Sequence, residues 1–287
     1  MTHPVLHEYD LGPGVTAFSS TRHGGVGQGD YASFNINYYC GDAPSHIEAN
    51  LMALCQLLQV SPDHIVYPHQ THNDVVSAID RQWMESLSPA EKRQSLEGVD
   101  AVMTNLRGVC VGVSTADCIP ILLYDSTHHA CCAVHAGWRG TVKRIVQKAV
   151  EAMTGNYGTS PQQLRTIIGP GISLEAFEVG DEVYEAFRQA GFQMDSLAKR
   201  FPASDVTENT SSERGINENT SSERYFKEKW HIDLPECNRQ QLTACGIPAD
   251  NIHLSRICTY TDCHTFFSAR RLGIHSGRIF TGIMLHP

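Results

Sequence analysis

The segment STADCIPILLYDSTHHACCAVHAGWRGT spans residues 114–141 and carries the strongest fold signal in the chain. Two apolar runs lie within it, separated by the short polar turn at 126–129. Two further apolar runs, DAVMTN at 100–105 and VCVGVST at 109–115, come just before it. Short connections of this kind favour neighbouring strands in an antiparallel or mixed sheet. Because the runs are almost continuously apolar, the sheet is expected to be covered on both faces.

Helices that could cover such a sheet are predicted at 45–58, 141–153 and 233–245, where apolar residues recur at helical spacing. Ser45 with Glu48 matches a capping box, and Asp233 is the expected cap of the last helix. The pattern predicts an α/β fold, a single-domain layered sandwich of mixed β-sheets covered by helices.

The chain shows no linker typical of a domain boundary, so residues 1–287 are expected to form one domain. ENTSSER occurs twice, at 208–214 and 218–224, as a tandem duplication of a ten-residue unit. Because the repeated segment is polar, residues 205–224 are predicted to be a flexible surface insertion without a chemical role.

Composition narrows the class of protein. With 22 basic and 31 acidic residues the formal charge is −9, which disfavours binding to nucleic acid or to anionic membranes. No basic and apolar leader is visible, and no apolar run approaches the roughly 20 residues of a membrane helix. The ten cysteines include no C-x-x-C pair, so reduced thiols in a cytoplasmic protein are expected.

Candidate metal ligands lie in three segments, HQTH (69–72), ADC (116–118) and VHAGWRG (134–140). Zinc prefers nitrogen and sulfur ligands, and a catalytic zinc keeps three protein ligands and one open position. The spacing of the segments is not diagnostic. From spacing alone, Cys118 is a core residue, a nucleophile or a metal ligand.

Glycines and arginines mark candidate anion sites. Gly137 and Gly140 allow close approach of the backbone, and Arg139 lies where a helix is expected to begin, which suits an anion. A plain strand-to-helix turn with an exposed arginine is the alternative. Five residues lie around a turn late in the chain: Ser268, Arg270, Arg271, Ser276 and Arg278. Paired arginines there either bind oxyanions or remain as solvated surface charge.

Taken in their order along the chain, several segments resemble the YfiH-type proteins, which are also called laccase-domain or multicopper polyphenol oxidase proteins. The resemblance runs from about Thr16 to near the C-terminus. It is carried by SSTRHGGVGQGDYASFNIN, HQTH, GVDAVMTN, STADCIPILLYD, AVHAGWRGT, IGPGISLEAFEVG, DLPECNRQQLTACGI, CTYTDCHTFFSARR and SGR. A compact α/β sandwich is the fold that it implies.

The resemblance implies Zn²⁺ as cofactor, with His72, Cys118 and His135 as its ligands. His72 is preferred to His69 because the motif places the ligand two residues after Gln70. The implied activity is that of purine nucleoside phosphorylases acting on adenosine, inosine, guanosine and methylthioadenosine, with an adenosine deaminase side activity. The implied partners are a small-molecule nucleoside and phosphate, bound by a monomer or homodimer.

Two departures from the family pattern bear on substrate preference. Gly171 stands where members often carry cysteine, and Phe177 stands where tyrosine is usual.

Catalytic and substrate-binding roles are also expected for further residues. Cys118, Asp117 and Arg139 are expected to be catalytic. Asp117 would act as a proton shuttle, which requires a turn at 116–118, because in an extended segment its side chain points opposite to that of Cys118. Four residues are expected to bind substrate or phosphate: Arg22, Asn35, Arg270 and Arg271.

Three other functions remain as alternatives. One is a cysteine hydrolase or transferase acting on peptidoglycan precursors, with Cys118 as nucleophile and His135 as base. A non-catalytic zinc-binding module is disfavoured by three ligands rather than four. A copper oxidase is disfavoured because 15 histidines include no H-x-H pair.

Overall fold

A computed structural model describes residues 3–202 and 228–286 of the chain. The predicted insertion at 205–224, with its duplicated ENTSSER segment, lies outside the described residues.

Strands are numbered in chain order: β1 (Leu6–Tyr9), β2 (Val15–Ser20), β3 (Ile65–Val66), β4 (Val76–Ile79), β5 (Ala101–Thr104), β6 (Cys110–Thr115), β7 (Ile119–Asp125), β8 (Ala130–Ala136), β9 (Arg165–Ile168), β10 (Glu178–Val179), β11 (Ala198–Pro202), β12 (Glu228–Ile232), β13 (Ile252–Leu254) and β14 (Ile279–Leu285).

The α-helices are numbered likewise: α1 (Pro44–Leu58), α2 (Arg81–Ser86), α3 (Pro89–Ser95), α4 (Trp138–Val142), α5 (Ile145–Tyr157), α6 (Asp181–Gln189), α7 (Met194–Leu197), α8 (Leu234–Ala244) and α9 (Ala269–Leu272). Within the described ranges, no helix combines the length and apolarity that a membrane crossing requires.

The strands form three sheets. The first sheet has the order β1-β2-β14-β6-β3, the second β13-β9-β7-β8-β5-β4, and the small third sheet β10-β12-β11. The first two are mixed, because β3 runs parallel to β6, β4 to β5 and β13 to β9, whereas the other pairs are antiparallel. The predicted α/β architecture with mixed sheets is confirmed.

Four layers result from the packing of these elements. Apolar side chains of the first and second sheets meet in a shared core, with Val113 of β6 and Leu122 of β7 among them. Helices α5 and α8 cover the other face of the second sheet. Leu54 of α1 packs with Phe18 and Phe280 on the outer face of the first. Every residue of β5 to β8 is buried, which confirms the prediction of strands covered on both faces.

The predicted adjacency of the apolar runs is only partly right. β7 and β8 pair as expected, with Ile121 opposite Val134. β6, however, belongs to the first sheet, whereas β5 and β7 belong to the second. The chain therefore crosses between sheets at 105–109 and again at 116–118. Both sheets require fully apolar strands, so the pattern of hydrophobicity cannot show which strands share a sheet.

Helix ends follow local chemistry, with one correction. Asp233 caps α8 as predicted, since its Oδ1 accepts a hydrogen bond from the Glu236 N–H at 3.0 Å. The capping box at Ser45 is wrong, because α1 begins at Pro44 with Ala43 as its N-cap. Proline at the first helical position sets the start of this helix without a side-chain cap.

Candidate metal and substrate site

Three segments meet where the chain crosses between the first and second sheets. His72 lies in the loop between β3 and β4, Cys118 in the crossing at 116–118, and His135 near the end of β8. One donor atom from each lies within 4.8 Å of the others, and His72 Nε2 is 3.7 Å from Cys118 Sγ. The folded chain thus brings together the three residues that the resemblance implied as ligands.

A buried carboxylate, Asp100, positions both histidines. Its Oδ1 lies 2.7 Å from His135 Nδ1. Its oxygens also accept hydrogen bonds from the backbone N–H groups of residues 71–73 at 2.7 to 3.3 Å. Because Nδ1 is used by Asp100, Nε2 of His135 is the nitrogen left for a ligand role. The same contacts hold His72 in its left-handed backbone conformation, with φ 61°.

Electrostatics favour a thiolate at this place. Burial opposes ionisation of the Cys118 thiol, but the charge of His135 and hydrogen bonds from both histidines outweigh it and lower its pKa to about 6. Burial opposes the charge of His135 as well, yet the Cys118 charge and the hydrogen bond to Asp100 raise its pKa to about 9. The thiolate is the form of cysteine that binds metals and attacks electrophiles.

Gly137 is required by the crowding around this group. A Cβ at this position would lie 2.8 Å from His72 Cδ2 and 3.1 Å from Cys118 Sγ. At Gly140 the corresponding Cβ would lie 3.1 Å from the Asn73 carbonyl oxygen. The two glycines therefore allow the strand-to-helix turn after β8 to pass directly beside the candidate ligands.

The donor set fits zinc. One sulfur and two imidazole nitrogens are typical zinc ligands, and a tetrahedral site places sulfur and nitrogen roughly 3.5 Å apart, close to the observed 3.7 Å. Over residues 3–202 and 228–286, the group contains three His, Cys, Asp or Glu donors and no fourth. Three protein ligands are the number found in catalytic zinc sites.

A cavity of about 230 Å³ opens beside the group and is lined by His72, Cys118 and His135. Tyr39 and Arg278 also line it. His69 lies on its wall but outside the ligand group. Its ring is 2.8 Å from the Glu97 carboxylate and stacks on Tyr39 at 3.9 Å between centroids.

Asp117 does not face the cavity. The required turn exists, since Asp117 has φ 84°. Its carboxylate, however, accepts hydrogen bonds from Thr259 Oγ1 and from the Arg270 N–H, both at 2.7 Å. These contacts tie the C-terminal segment to the crossing between sheets. Both carboxylate oxygens of Asp117 are thus engaged within the protein, and Asp117 is not among the residues that line the cavity.

Arg22 and Asn35 are likewise engaged within the protein. The Arg22 guanidinium donates to the carbonyl oxygens of Ala32 at 2.8 Å and Cys263 at 2.7 Å. The Asn35 side chain is fully buried and donates to Asp42 Oδ2 at 3.0 Å. Neither side chain lines the cavity.

The other expected arginines point elsewhere. Arg139 lies over the Trp138 ring, with 4.3 Å from its Cζ to the centroid. Arg270 donates to a backbone carbonyl of β10 at 3.1 Å, and Arg271 donates to the Tyr260 hydroxyl at 3.2 Å. None of these three lines the cavity.

Sequence reasoning missed Asp100 at the site, and it named Arg278 in the late arginine cluster without assigning it a role. Asp100 had a signal, because its carboxylate comes directly before the largely apolar run AVMT at 101–104. The signal for Arg278 was weaker. This residue belongs to the SGR segment, and the turn before β14 decides where its side chain points.

A family model described as multi-copper polyphenol oxidoreductase laccase matches residues 16–286. The chain is 43% identical over 272 residues to a purine nucleoside phosphorylase of Bacteroides thetaiotaomicron, covering 95% of this chain and 92% of that protein. It is 41% identical over 270 residues to adenosine deaminase RL5 from an unknown prokaryotic organism, covering 94% of each.

A solved structure, the hypothetical protein YfiH of Bacillus licheniformis, superposes with a TM-score of 0.78 at 26% identity. The match covers 94% of this chain and 92% of that one.

Proposed function

This chain belongs to the family described as multi-copper polyphenol oxidoreductase laccase, and on that premise we propose that it is a zinc-dependent purine nucleoside phosphorylase. An adenosine deaminase side activity is part of the proposal. The names of its relatives support a purine-nucleoside-processing activity. One observation supports the specific proposal of a zinc-dependent enzyme: His72, Cys118 and His135 converge beside one cavity. The proposed substrates are adenosine, inosine, guanosine and methylthioadenosine.

Under this proposal His72, Cys118 and His135 hold the zinc ion. Zinc bound there supplies Lewis-acid chemistry to the reaction. The chain's own contribution is positional. Asp100 fixes the orientation of His135 and the backbone of the loop that carries His72, and Gly137 lets the third segment come close.

Phosphorolysis exchanges one bond at the ribose. An oxygen of dihydrogen phosphate bonds to C1′, and the C1′–N9 bond breaks with its electron pair moving to the purine. The proton released by the phosphate ends on the purine, so the products are the free base and ribose 1-phosphate, or 5-methylthioribose 1-phosphate from methylthioadenosine. In the side reaction, water adds at C6 of adenosine, ammonia leaves and inosine forms, with no phosphate required.

The close pairing of Cys118 and His135 favours one second candidate, a cysteine-dependent hydrolase or transferase. A thiolate beside an imidazolium is the activated pair of such enzymes. Alkylation separates the two functions. A thiolate that binds zinc reacts much faster with iodoacetamide after chelation, whereas a free nucleophile reacts at a rate independent of the chelator.

Product analysis tests the main proposal. Zinc-loaded protein is incubated with adenosine and with inosine, with and without phosphate, and the products are separated by chromatography. We expect phosphate-dependent release of adenine and hypoxanthine. Cys118→Ala should lose both zinc and turnover, whereas Cys245→Ala, a half-buried thiol at the end of α8, should keep both. Unaltered substrates with the zinc-loaded protein, or full turnover by Cys118→Ala, would contradict the proposal.

A further inference from the structure

We propose that Arg278, Asn37 and Ser114 form the subsite for inorganic phosphate, an assignment that rests on the proposed phosphorolysis. All three line the cavity that also contains the His72–Cys118–His135 group. None of these three residues was expected to bind phosphate. The arginines that were expected to do so, Arg22, Arg270 and Arg271, contact other parts of the protein.

Arg278 brings a positive charge that no carboxylate neutralises. Its guanidinium donates to the carbonyl oxygens of Ser276 at 2.6 Å, Gly277 at 3.0 Å and Ile274 at 2.9 Å. These bonds fix the side chain at the wall of the cavity. Across residues 3–202 and 228–286 it forms no ion pair with Asp or Glu. A half-buried, fixed and unbalanced cation is stabilised by an anionic ligand.

Asn35 holds Arg278 and Asn37 side by side. Its Oδ1 accepts hydrogen bonds from the backbone N–H of Asn37 at 3.1 Å and of Arg278 at 3.2 Å. Because Asn35 is fully buried, it acts as a positioning residue that does not touch the ligand. The Asn37 Oδ1 accepts from the Tyr39 N–H at 2.7 Å, and its Nδ2 has no partner in the described part of the chain.

Ser114 adds a hydroxyl without a partner. Its backbone N–H and carbonyl are both bonded to the Gln70 amide, at 2.7 and 2.8 Å, whereas its Oγ is buried and unpaired. Ser114 pairs directly with Phe280, two residues after Arg278, so Ser114 and Arg278 share one face of the sheet. Thr115 also lines the cavity and its Oγ1 is likewise buried and unpaired, but its side chain extends from the opposite face of β6. A buried hydroxyl left unpaired in the described part of the chain is completed by a partner outside the protein, an ordered water or a bound ligand.

The chemistry of the three groups selects an oxyanion. A guanidinium and an amide nitrogen only donate hydrogen bonds, and a hydroxyl can donate one more. A tetrahedral phosphate presents several acceptor oxygens and negative charge to such a set. The proposed nucleoside substrates carry no charge, so the anion is the co-substrate, inorganic phosphate.

Direct binding tests the assignment without relying on turnover. Calorimetric titration with inorganic phosphate is expected to show about 10- to 100-fold weaker binding in Arg278→Met than in the wild type, since one charged donor is lost. The matched control is Arg188→Met, an exposed arginine of α6 that pairs with Glu185 and should bind phosphate like the wild type. In turnover, Arg278→Met should raise the KM for phosphate.

Ser114→Ala gives a second, independent readout. We expect about 3- to 10-fold weaker phosphate binding from the loss of one neutral hydrogen bond. The melting temperature without phosphate should be unchanged or higher, because a buried hydroxyl without a partner has been removed. A lower melting temperature with unchanged phosphate binding would show that Ser114 is structural and would overturn its assignment.

The remaining outcomes separate the subsite from the activity. Wild-type phosphate affinity in Arg278→Met overturns the subsite, whatever the turnover. If Arg278 governs the binding of adenosine 5′-monophosphate but not of inorganic phosphate, the anion belongs to the substrate and the assignment is likewise overturned. If inorganic phosphate binds through Arg278 yet no nucleoside is consumed, the subsite is supported and the proposed activity fails.

Discussion

Gly137 lies where the candidate metal site leaves no room for a side chain. Its missing side chain allows His72 and Cys118 to approach the turn after β8, where a Cβ would lie 2.8 Å from the first and 3.1 Å from the second. Real Cβ atoms do not approach neighbours at 2.8 Å, so any other residue must displace the histidine. Gly137 is therefore part of the geometry of the candidate metal site, although it contributes no ligand.

Gly137→Ala is predicted to lose most of its bound zinc while remaining folded, because the new methyl group pushes His72 out of position. Elemental analysis of the purified variant measures the loss. The matched control is Gly155→Ala on the exposed face of α5, where a Cβ meets nothing within 4 Å. That variant should keep its zinc and gain about 0.5 to 1 kcal/mol of stability. Full zinc content in Gly137→Ala would contradict the described geometry.

The thiol of Cys118 should titrate far below an ordinary cysteine. In chelator-treated protein, the rate of iodoacetamide alkylation at Cys118 is predicted to rise with pH around a midpoint near 6. Because folding lowers this pKa, the stability that the thiolate contributes is lost as pH falls through about 6. Because folding raises the His135 pKa, its contribution is lost as pH rises through about 9.

Cys245 supplies the internal comparison, since burial raises the pKa of its thiol. Peptide mapping resolves the two sites, and a Cys118 midpoint near that of Cys245 would refute the thiolate at neutral pH.

At single-residue resolution, motif and chemistry identify the three candidate ligands but not the cation beside them. Arg270, Arg271 and Arg278 are equivalent charges in the sequence. Only the turn before β14 decides that Arg278 lines the cavity while the other two contact a backbone carbonyl and a tyrosine. The direction of a long side chain depends on local backbone geometry that no periodic pattern encodes.

At the scale of secondary-structure elements, the N-termini of α8 and α1 give two contrasting predictions. Asp233→Ala should lower the free energy of unfolding by about 1 kcal/mol, because it removes the hydrogen bond that caps α8. Ser45→Ala should change it by less than about 0.5 kcal/mol, since Ser45 lies inside the first turn of α1 and caps nothing. Urea unfolding measures the free energy of unfolding of both variants. A larger decrease in Ser45→Ala would contradict the absence of a capping box at Ser45.

Strand positions follow from the sequence more readily than strand partners. The apolar runs at 100–105, 109–115 and 118–125 contain β5, β6 and β7 at nearly the predicted bounds. Their assignment to one sheet failed for β6, because a strand buried on both faces gives no alternation to show which side it faces. The consequence matters for function, since Cys118 owes its position to the crossing between sheets.

For the whole molecule, the site depends on tertiary structure. His72, Cys118 and His135 come from three separate segments that the two packed sheets bring together. A metal that binds only the folded chain stabilises it by RT ln(1 + [M]/Kd), where [M] is the free metal concentration and Kd the dissociation constant.

Chelation is therefore predicted to lower the melting temperature by roughly 4 to 5 °C, taking free zinc at about 100 times its dissociation constant. In Cys118→Ala the chelator should have no effect. Calorimetry with and without chelator makes the comparison, and a wild-type transition that ignores the chelator would count against a bound metal.

The central claim is that one sulfur and two imidazoles of this chain bind a single zinc ion. X-ray absorption at the zinc edge tests it most directly. We predict one zinc per chain, with one sulfur at about 2.3 Å and two imidazole nitrogens at about 2.0 to 2.1 Å, and loss of the zinc in Cys118→Ala. A spectrum without a sulfur ligand, or zinc content that is unchanged in Cys118→Ala, would contradict the account.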